Sequence, residues 1–295
     1  MAEGSSLRTP SGVLARRLPR LDHSHWLSKY LRQPAAVAGL VLLALLVGFA
    51  LLAGQIAPSP PKTGGPDSLL SPSLAHWFGT DDLGRDTLSN VVYGTRAALL
   101  VGLVTAATSL AIGGAVGIVS GYFGGYVDDI LMRITETFQL MPRFFLALLM
   151  ITVFGSGLWL VSLILGVTFW PGTARLLRAQ VLTLRSRDFV EAARALGAGD
   201  TRIMLRHILP NAFAPVIVIA ATQVGGAILT EAGLSFLGLG DPTLVTWGQM
   251  LNDSQRFLRI AWWLFAFPGA ALVLTVLATT MIVDGLNEAL RPRTR

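Results

Sequence analysis

The stretch AALLVGLVTAATSLAIGGAVGIVSGYFGGYV, residues 97–127, runs for 31 residues without a charge. A helix needs about 20 mostly apolar residues to cross the hydrocarbon core of a bilayer. The stretch therefore holds one span and a glycine-rich exit at Gly121, Gly124 and Gly125. Upstream, AAVAGLVLLALLVGFALLAGQI gives a second uncharged run over residues 35–56. Downstream, residues 144–174 are also uncharged, with Gly155, Ser156 and Gly157 in the middle. That run is too short for two full spans, so a third helix is expected to begin earlier, near Ile130. It would carry Arg133, Glu136 and Arg143. Further apolar windows predict a fourth helix over 158–176, a fifth over 214–237 and a sixth over 261–283. The fold class is an all-α polytopic membrane protein with six transmembrane helices.

The composition of the 295 residues agrees. Hydrophobic residues make up 53% and charged residues only 14%. A soluble domain carries about 25% charged residues. So few charges hardly build an aqueous surface for a chain of this size, which argues against a soluble enzyme. The absence of cysteine removes disulfides, thiolate metal sites and cysteine nucleophiles. A net charge of +6 suggests nucleic acid in a soluble protein. In a membrane protein it reflects arginine gathered on the cytoplasmic side, so no nucleic-acid partner is expected.

Lys and Arg set the expected topology. Residues 1–34 hold Arg8, Arg16, Arg17, Arg20, Lys29 and Arg32, and the tail holds Arg291, Arg293 and Arg295. The segment after the fourth helix holds Arg175, Arg178, Arg185, Arg187, Arg194, Arg202 and Arg206. The opposite side has Lys62, Arg85, Arg96, Arg256 and Arg259. The positive-inside rule puts both termini in the cytoplasm of a multi-pass cell-membrane protein. The expected order is a cytoplasmic leader over 1–34, partly amphipathic, and a first membrane helix over 35–56. An extracytoplasmic segment follows over 57–96. A membrane core spans 97–290 with a cytoplasmic loop over 177–213, and a tail covers 291–295. The first apolar run follows a long polar leader and exceeds a signal-peptide h-region, so it is not expected to be cleaved.

The loop over 177–213 is too long for a mere connection between bundle helices. Asp188 is placed to cap a short helix that continues through Phe189, Val190, Glu191, Ala192, Ala193 and Leu196, with Gly197 placed to end it. Asp200 is placed to cap a second helix over 201–209, with Pro210 interrupting continuation into the fifth span. Phe189, Ala192, Ala193 and Leu196 form one apolar face on the first of these helices. Either a partner or the protein's own membrane helices cover that face.

Glu191-Ala192-Ala193, then Gly197, then a stretch ending Leu209-Pro210 resembles the cytoplasmic loop signature of ABC importer permeases. His207, followed by Ile208, Leu209, Pro210 and Asn211, is similar to the peptide-importer branch, although many members carry an apolar residue where His207 stands. Three further stretches resemble that branch. They are FGTDDLGRD at 78–86, EAGLSFLGLG at 231–240 and DGLNEALRPR at 284–293. In this order they most resemble the C-type permease of dipeptide and oligopeptide ABC importers, whose fold is the type I importer permease bundle.

The resemblance implies that Asp188, Phe189, Glu191, Ala192, Ala193, Leu196 and Gly197 form a coupling helix that docks on an ATPase. It implies a second homologous permease, two ATPase domains or subunits and an extracytoplasmic substrate-binding protein as partners, in a lipid membrane. Di- or oligopeptides are the implied substrates, with nickel chelates and haem carried by close relatives. The sequence agrees by omission. A P-loop needs G-x-x-x-x-G-K-[ST], and neither Lys29 nor Lys62 stands in such a frame. ATP and Mg²⁺ are therefore expected on partner subunits, with no cofactor and no metal on this chain.

No catalytic residues are expected. His23, His25, His76 and His207 are scattered, and Ser235 lacks the glycine spacing of a nucleophile elbow. Gln139, Arg143, Thr222 and Gln223 are candidates for the translocation path, because polar groups at membrane depth need a reason. Arg143 has two readings: it faces the path and attracts a peptide carboxylate, or Pro142 breaks the helix and Arg143 snorkels to the interface. Arg133 and Glu136, three apart, are placed to pair. Gly113, Gly117 and Gly121 repeat at intervals of four, which brings helices close, within this chain or between subunits. Asp81, Asp82 and Asp86 cap turns in the outer segment or contact a partner. A secondary transporter would carry its own coupling-ion residues and no docking loop, and an intramembrane enzyme would need a catalytic constellation.

Overall fold

A computed structural model describes residues 26–290. The leader before residue 26 and the tail 291–295, with their expected cytoplasmic placement, lie outside the described residues. Helices in chain order are α1 (Trp26–Leu31), α2 (Pro34–Leu51), α3 (Ala53–Ile56), α4 (Thr87–Phe123), α5 (Gly125–Leu140) and α6 (Arg143–Phe154). Then come α7 (Leu158–Arg185), α8 (Asp188–Ala195), α9 (Asp200–Ile203), α10 (Leu209–Phe236), α11 (Trp247–Ser254) and α12 (Trp263–Leu290). Five of these are long and apolar enough to cross a membrane, and the pair α5–α6 makes a sixth span if counted as one.

That pair departs from the straight third helix expected to start near Ile130. Helices α5 and α6 meet at 85°. Met141 takes an extended conformation and Pro142 precedes the first turn of α6. A residue before proline is pushed out of the helical region, and proline has no N–H to donate to the turn before it. Arg133 and Glu136 therefore lie on α5, across the bend from α6. They form no ion pair among the described residues.

The first span, expected over 35–56, is instead interrupted at Leu52 between α2 and α3, whereas α4, α7, α10 and α12 run past their apolar windows, because a helix leaving the bilayer has no reason to stop at its edge. Helix α4 has 37 residues, about 55 Å at 1.5 Å per residue. It begins before Arg96, whose side chain caps the end of α2 by donating to the Ala50 carbonyl at 2.5 Å and the Leu51 carbonyl at 3.3 Å. Those carbonyls have no partner within their own helix. Helix α7 continues to Arg185, so the loop expected over 177–213 contracts. Helix α10 starts at Leu209 instead of 214, and Pro210 does not interrupt it. Pro210 sits in the first turn, where its missing N–H costs nothing. A π turn over Met204–Ile208 joins α9 to α10.

Helices α4 and α7 pack along their length as the axis of the bundle. Gly113, Gly117 and Gly121 make the approach close. A methyl on Gly113 would lie 2.5 Å from the Trp170 carbonyl oxygen, and one on Gly117 2.6 Å from that of Ala174. One on Gly121 would lie 2.8 Å from the Val181 side chain. The glycine stripe thus packs within this chain. Helix α10 packs on α4, α7 and α12, and α2 packs on α12. One apolar core, including Val101, Ile151, Leu165 and Leu234, fills the space between α4, α6, α7 and α10. A second, including Ile118, Leu177, Val181, Val190, Ile203 and Ile208, lies where α4 and α7 meet the loop.

Candidate functional site

The loop between α7 and α10 holds two short helices. Arg187 is extended, and α8 begins with Asp188 and Glu191 in its first turn and Arg194 in its last. Acidic groups near the start and a basic group near the end complement the helix dipole. The side chain of Asp188 makes no capping hydrogen bond, nor does that of Asp200, contrary to the expected caps. Gly197 does end α8. It stands at φ +79°, a left-handed conformation that side chains disfavour. The Ala198 N–H donates to the Ala193 carbonyl and the Gly197 N–H to the Arg194 carbonyl, both at 3.0 Å. This double closure satisfies the last carbonyls and fixes the exit of the chain.

Helix α8 divides its apolar residues between two faces. Val190, fully buried, and Ala193 pack into the second core. Phe189 is 38% exposed, Leu196 is 89% exposed, and Glu191 and Ala192 are exposed beside them. The expected face of Phe189, Ala192, Ala193 and Leu196 is thus corrected. Its only inward member is Ala193, and Val190 takes the place of the others. Phe189, Ala192 and Leu196 stand at i, i+3 and i+7, one stripe of a helix surface turned away from the bundle.

Polar contacts fasten the loop to the ends of α4 and α7. The Tyr122 hydroxyl donates to Asp200 at 2.6 Å, and the Arg194 guanidinium lies 3.5 Å from the same oxygen. Arg185 donates to the carbonyls of Gly121 at 3.3 Å and Tyr122 at 3.1 Å. Gly124 then reverses the chain at φ +68° into α5. Asp128, in the first turn of α5, accepts two hydrogen bonds of 2.6 Å from the Arg178 fork on α7. The Ser120 hydroxyl on α4 donates to the same carboxylate. Two-pronged Arg–carboxylate contacts of this kind are among the strongest side-chain hydrogen bonds.

The sequence profile described as "Binding-protein-dependent transport system inner membrane component" matches residues 113–295. The chain belongs to this family. A second profile, the N-terminal TM domain of oligopeptide transport permease C, matches residues 25–72 of this transport component. The dipeptide transport system permease protein DppC of Alkalihalophilus pseudofirmus is 38% identical over 260 residues, 88% of this chain and 86% of the relative. The oligopeptide transport system permease protein OppC of Haemophilus influenzae is 38% identical over 271 residues, 90% of this chain and 87% of the relative. In fold, the transport component is similar to an inward-facing structure of the MetNI methionine ABC transporter. The match has a TM-score of 0.56 at 21% identity and covers 68% of this chain and 97% of that one. The bundle is that of an ABC importer permease.

In this transport component the candidate path residues do not gather at one place. The Gln223 amide donates to Thr173 at 2.7 Å, and Thr173 lies 2.9 Å from the Ser109 hydroxyl. These three form a buried polar ladder across α10, α7 and α4. Thr222 is exposed and returns its hydroxyl to the Val218 carbonyl at 2.9 Å. Gln139 and Arg143 flank the bend between α5 and α6. The Arg143 guanidinium is exposed and lies over the Phe169 ring, 5.2 Å from its centre.

The segment between α3 and α4 is built around its aspartates. Asp86 caps α4 through the Ser89 N–H at 2.8 Å and lies 3.1 Å from His76 Nδ1. Asp81 accepts from the Leu83 and Arg85 N–H groups, at 2.9 and 2.8 Å. Asp82 instead lines a cavity of about 60 Å³ with Lys62, Asp81, Arg85, Thr87 and Asp253. Burial raises the carboxyl pKa of Asp81 and of Asp253, and burial lowers that of the Lys62 ammonium. In the 231–240 stretch, Ser235 is buried and donates to Glu231 at 2.5 Å. Gly248 of α11 lies against the Ser235 side chain, which seats α11 on α10.

Sequence reasoning passed over Tyr122, Asp128, Arg178 and Arg185. Arg178 and Arg185 read as topology signals and Tyr122 as part of an apolar exit. A carboxylate directly after a glycine-rich helix end is the one signal that pointed to Asp128.

Proposed function

We propose that this chain is a permease subunit of an ATP-driven importer and forms half of a translocation path for di- or oligopeptides. A second homologous permease supplies the other half. Two ATPase domains or subunits bind ATP on the cytoplasmic side, and a substrate-binding protein delivers peptide from outside. Both termini of this chain are cytoplasmic. The chain itself carries no catalytic residue or cofactor. The names of the dipeptide and oligopeptide relatives support the substrate class.

The observation that carries the coupling reading is the outward stripe of α8. Exposed apolar residues on a helix fastened by its inner face and its C-terminal end are suited to enter a cleft on another protein. The inner face, Val190 and Ala193, ties that helix to the membrane bundle. An ATPase that grips Phe189 and Leu196 therefore moves more than a loose loop.

The experiment is affinity purification of this chain from membranes in mild detergent, followed by identification of its partners and uptake of a labelled dipeptide by the reconstituted assembly. A second permease, a P-loop ATPase and ATP-dependent uptake are expected. A chain that purifies alone and transports alone would overturn the proposal. Glu191→Lys and Gly197→Pro are each expected to abolish uptake while the chain stays inserted. Lysine reverses the charge at the positive end of α8, and proline cannot adopt φ +79°.

A further inference from the structure

We propose that Tyr122, together with the Asp128–Arg178 pair, is the link that carries displacement of α8 to the bent pair α5–α6. The proposal rests on the reading of α8 as the ATPase-docking element and deepens it.

The loop and the root of α5 are far apart in sequence but meet at one stretch of chain, residues 120–128. The Tyr122 hydroxyl is the junction of the loop. It donates to Asp200 at the start of α9 at 2.6 Å and faces Arg194 in the last turn of α8 at 3.5 Å. One oxygen thus touches both arms of the loop. The Tyr122 ring is buried in the same core as Val190 and Ala193. The backbone of that turn is held as well, since Arg185 donates to the carbonyls of Gly121 and Tyr122. These are terminal carbonyls of α4 that no later helical N–H can reach.

The outgoing side is equally fixed. Gly124 turns the chain, and four residues later Asp128 is clamped by Arg178 on α7 and bonded by Ser120 on α4. That clamp sets the direction in which α5 leaves α4. The far end of α5 meets α6 at 85°. A displacement of α8 that carries Tyr122 therefore acts on the root of α5, which is the lever arm of the bend. The shared apolar core of Tyr122, Val190 and Ala193 holds these elements together but sets no direction, because apolar burial is non-directional. Charge-assisted, two-pronged hydrogen bonds hold a geometry.

The test compares the purified, reconstituted assembly containing the unmodified chain with assemblies carrying Tyr122→Phe, Asp200→Ala, their double variant, or Asp128→Asn. Peptide transported per ATP hydrolysed is the readout, beside recovery of the ATPase and basal ATP hydrolysis. Tyr122→Phe keeps the ring and removes the hydroxyl, so recovery and basal hydrolysis are expected to hold. The transport ratio is expected to fall about fivefold, the scale of one net hydrogen bond. The double variant is expected to lose no more than either single one, because both remove the same contact. Asp128→Asn is expected to lower the ratio with ATPase recovery intact. An unchanged ratio in both Tyr122→Phe and Asp128→Asn would overturn the link. Loss of the ATPase from Tyr122→Phe would also overturn it, since the hydroxyl would then shape the docking surface instead of transmitting from it. If the unmodified chain recovers no ATPase, the failure belongs to the docking reading and not to the link.

Discussion

Val190 lies within α8 and Leu196 at its C-terminal cap, and the two have opposite fates. Val190 is fully buried, and Leu196 is 89% exposed. Truncating Val190 to alanine removes buried methyl groups, at a cost of about 2 kcal/mol. Leu196→Ser touches no core, and surface changes of this kind stay within about 0.5 kcal/mol. The thermal midpoint of the purified chain is expected to fall for Val190→Ala and to hold for Leu196→Ser. Uptake is expected to reverse that order of severity, with Leu196→Ser failing and Val190→Ala retaining activity at low temperature. The residues of α8, its end at Gly197 and the glycine stripe of α4 were legible in the sequence, because the backbone freedom and small size of glycine act over a few neighbours, although the caps expected of Asp188 and Asp200 do not form. The orientation of α8 was not. Which apolar residues face inward depends on the position of α4 and α7 beneath it, and periodicity alone allowed Phe189, Ala192 and Leu196 either fate. The Tyr122, Asp128, Arg178 and Arg185 contacts were beyond reach for the same reason, since each joins residues dozens of positions apart.

Among the elements, α4 offers a controlled comparison. Gly117 and Gly114 are near neighbours on one helix. A methyl on Gly117 would lie 2.6 Å from the Ala174 carbonyl oxygen, while one on Gly114 meets nothing within 4 Å. Gly117→Ala is expected to destabilise the α4–α7 pair by about 1–3 kcal/mol, because backbone must move. Gly114→Ala is expected to be neutral or to stabilise by up to about 1 kcal/mol through helix propensity. Detergent melting of the two variants checks this. The cavity shared by the segment before α4 and by α11 carries a pH dependence. Asp81 and Asp253 have raised pKa values on burial, so the folded state binds protons more tightly than the unfolded state. Their contribution favours folding fully below the ordinary carboxylate range and is lost as pH rises through the raised values. Asp253→Asn is expected to flatten the fall of the melting midpoint above that range. An unchanged slope contradicts the assignment. Element ends were read least well, at α4, α7 and α10, because apolar windows report lipid contact and not helix length. The break at Pro142 was legible as one of two readings, but its 85° angle was not, because α6 lies against α7, far from it in local sequence.

The whole molecule is a bundle whose axis is a glycine-packed helix pair, with a loop at one end that is rigid where it meets the bundle and apolar where it does not. Its membrane character and family were legible throughout, since both are written in long apolar runs and short local motifs. The importer account stands or falls on what α8 touches. The chain contains no cysteine, so a single Leu196→Cys supplies the only thiol in it. Membranes holding the whole assembly, treated with a short cross-linker that bears one thiol-reactive and one photoreactive group, give the direct measurement. One adduct between this chain and a P-loop ATPase is expected, weakened when peptide uptake is uncoupled by Glu191→Lys. An adduct only with lipid or with a second copy of this chain, while ATP-dependent uptake continues, would contradict it.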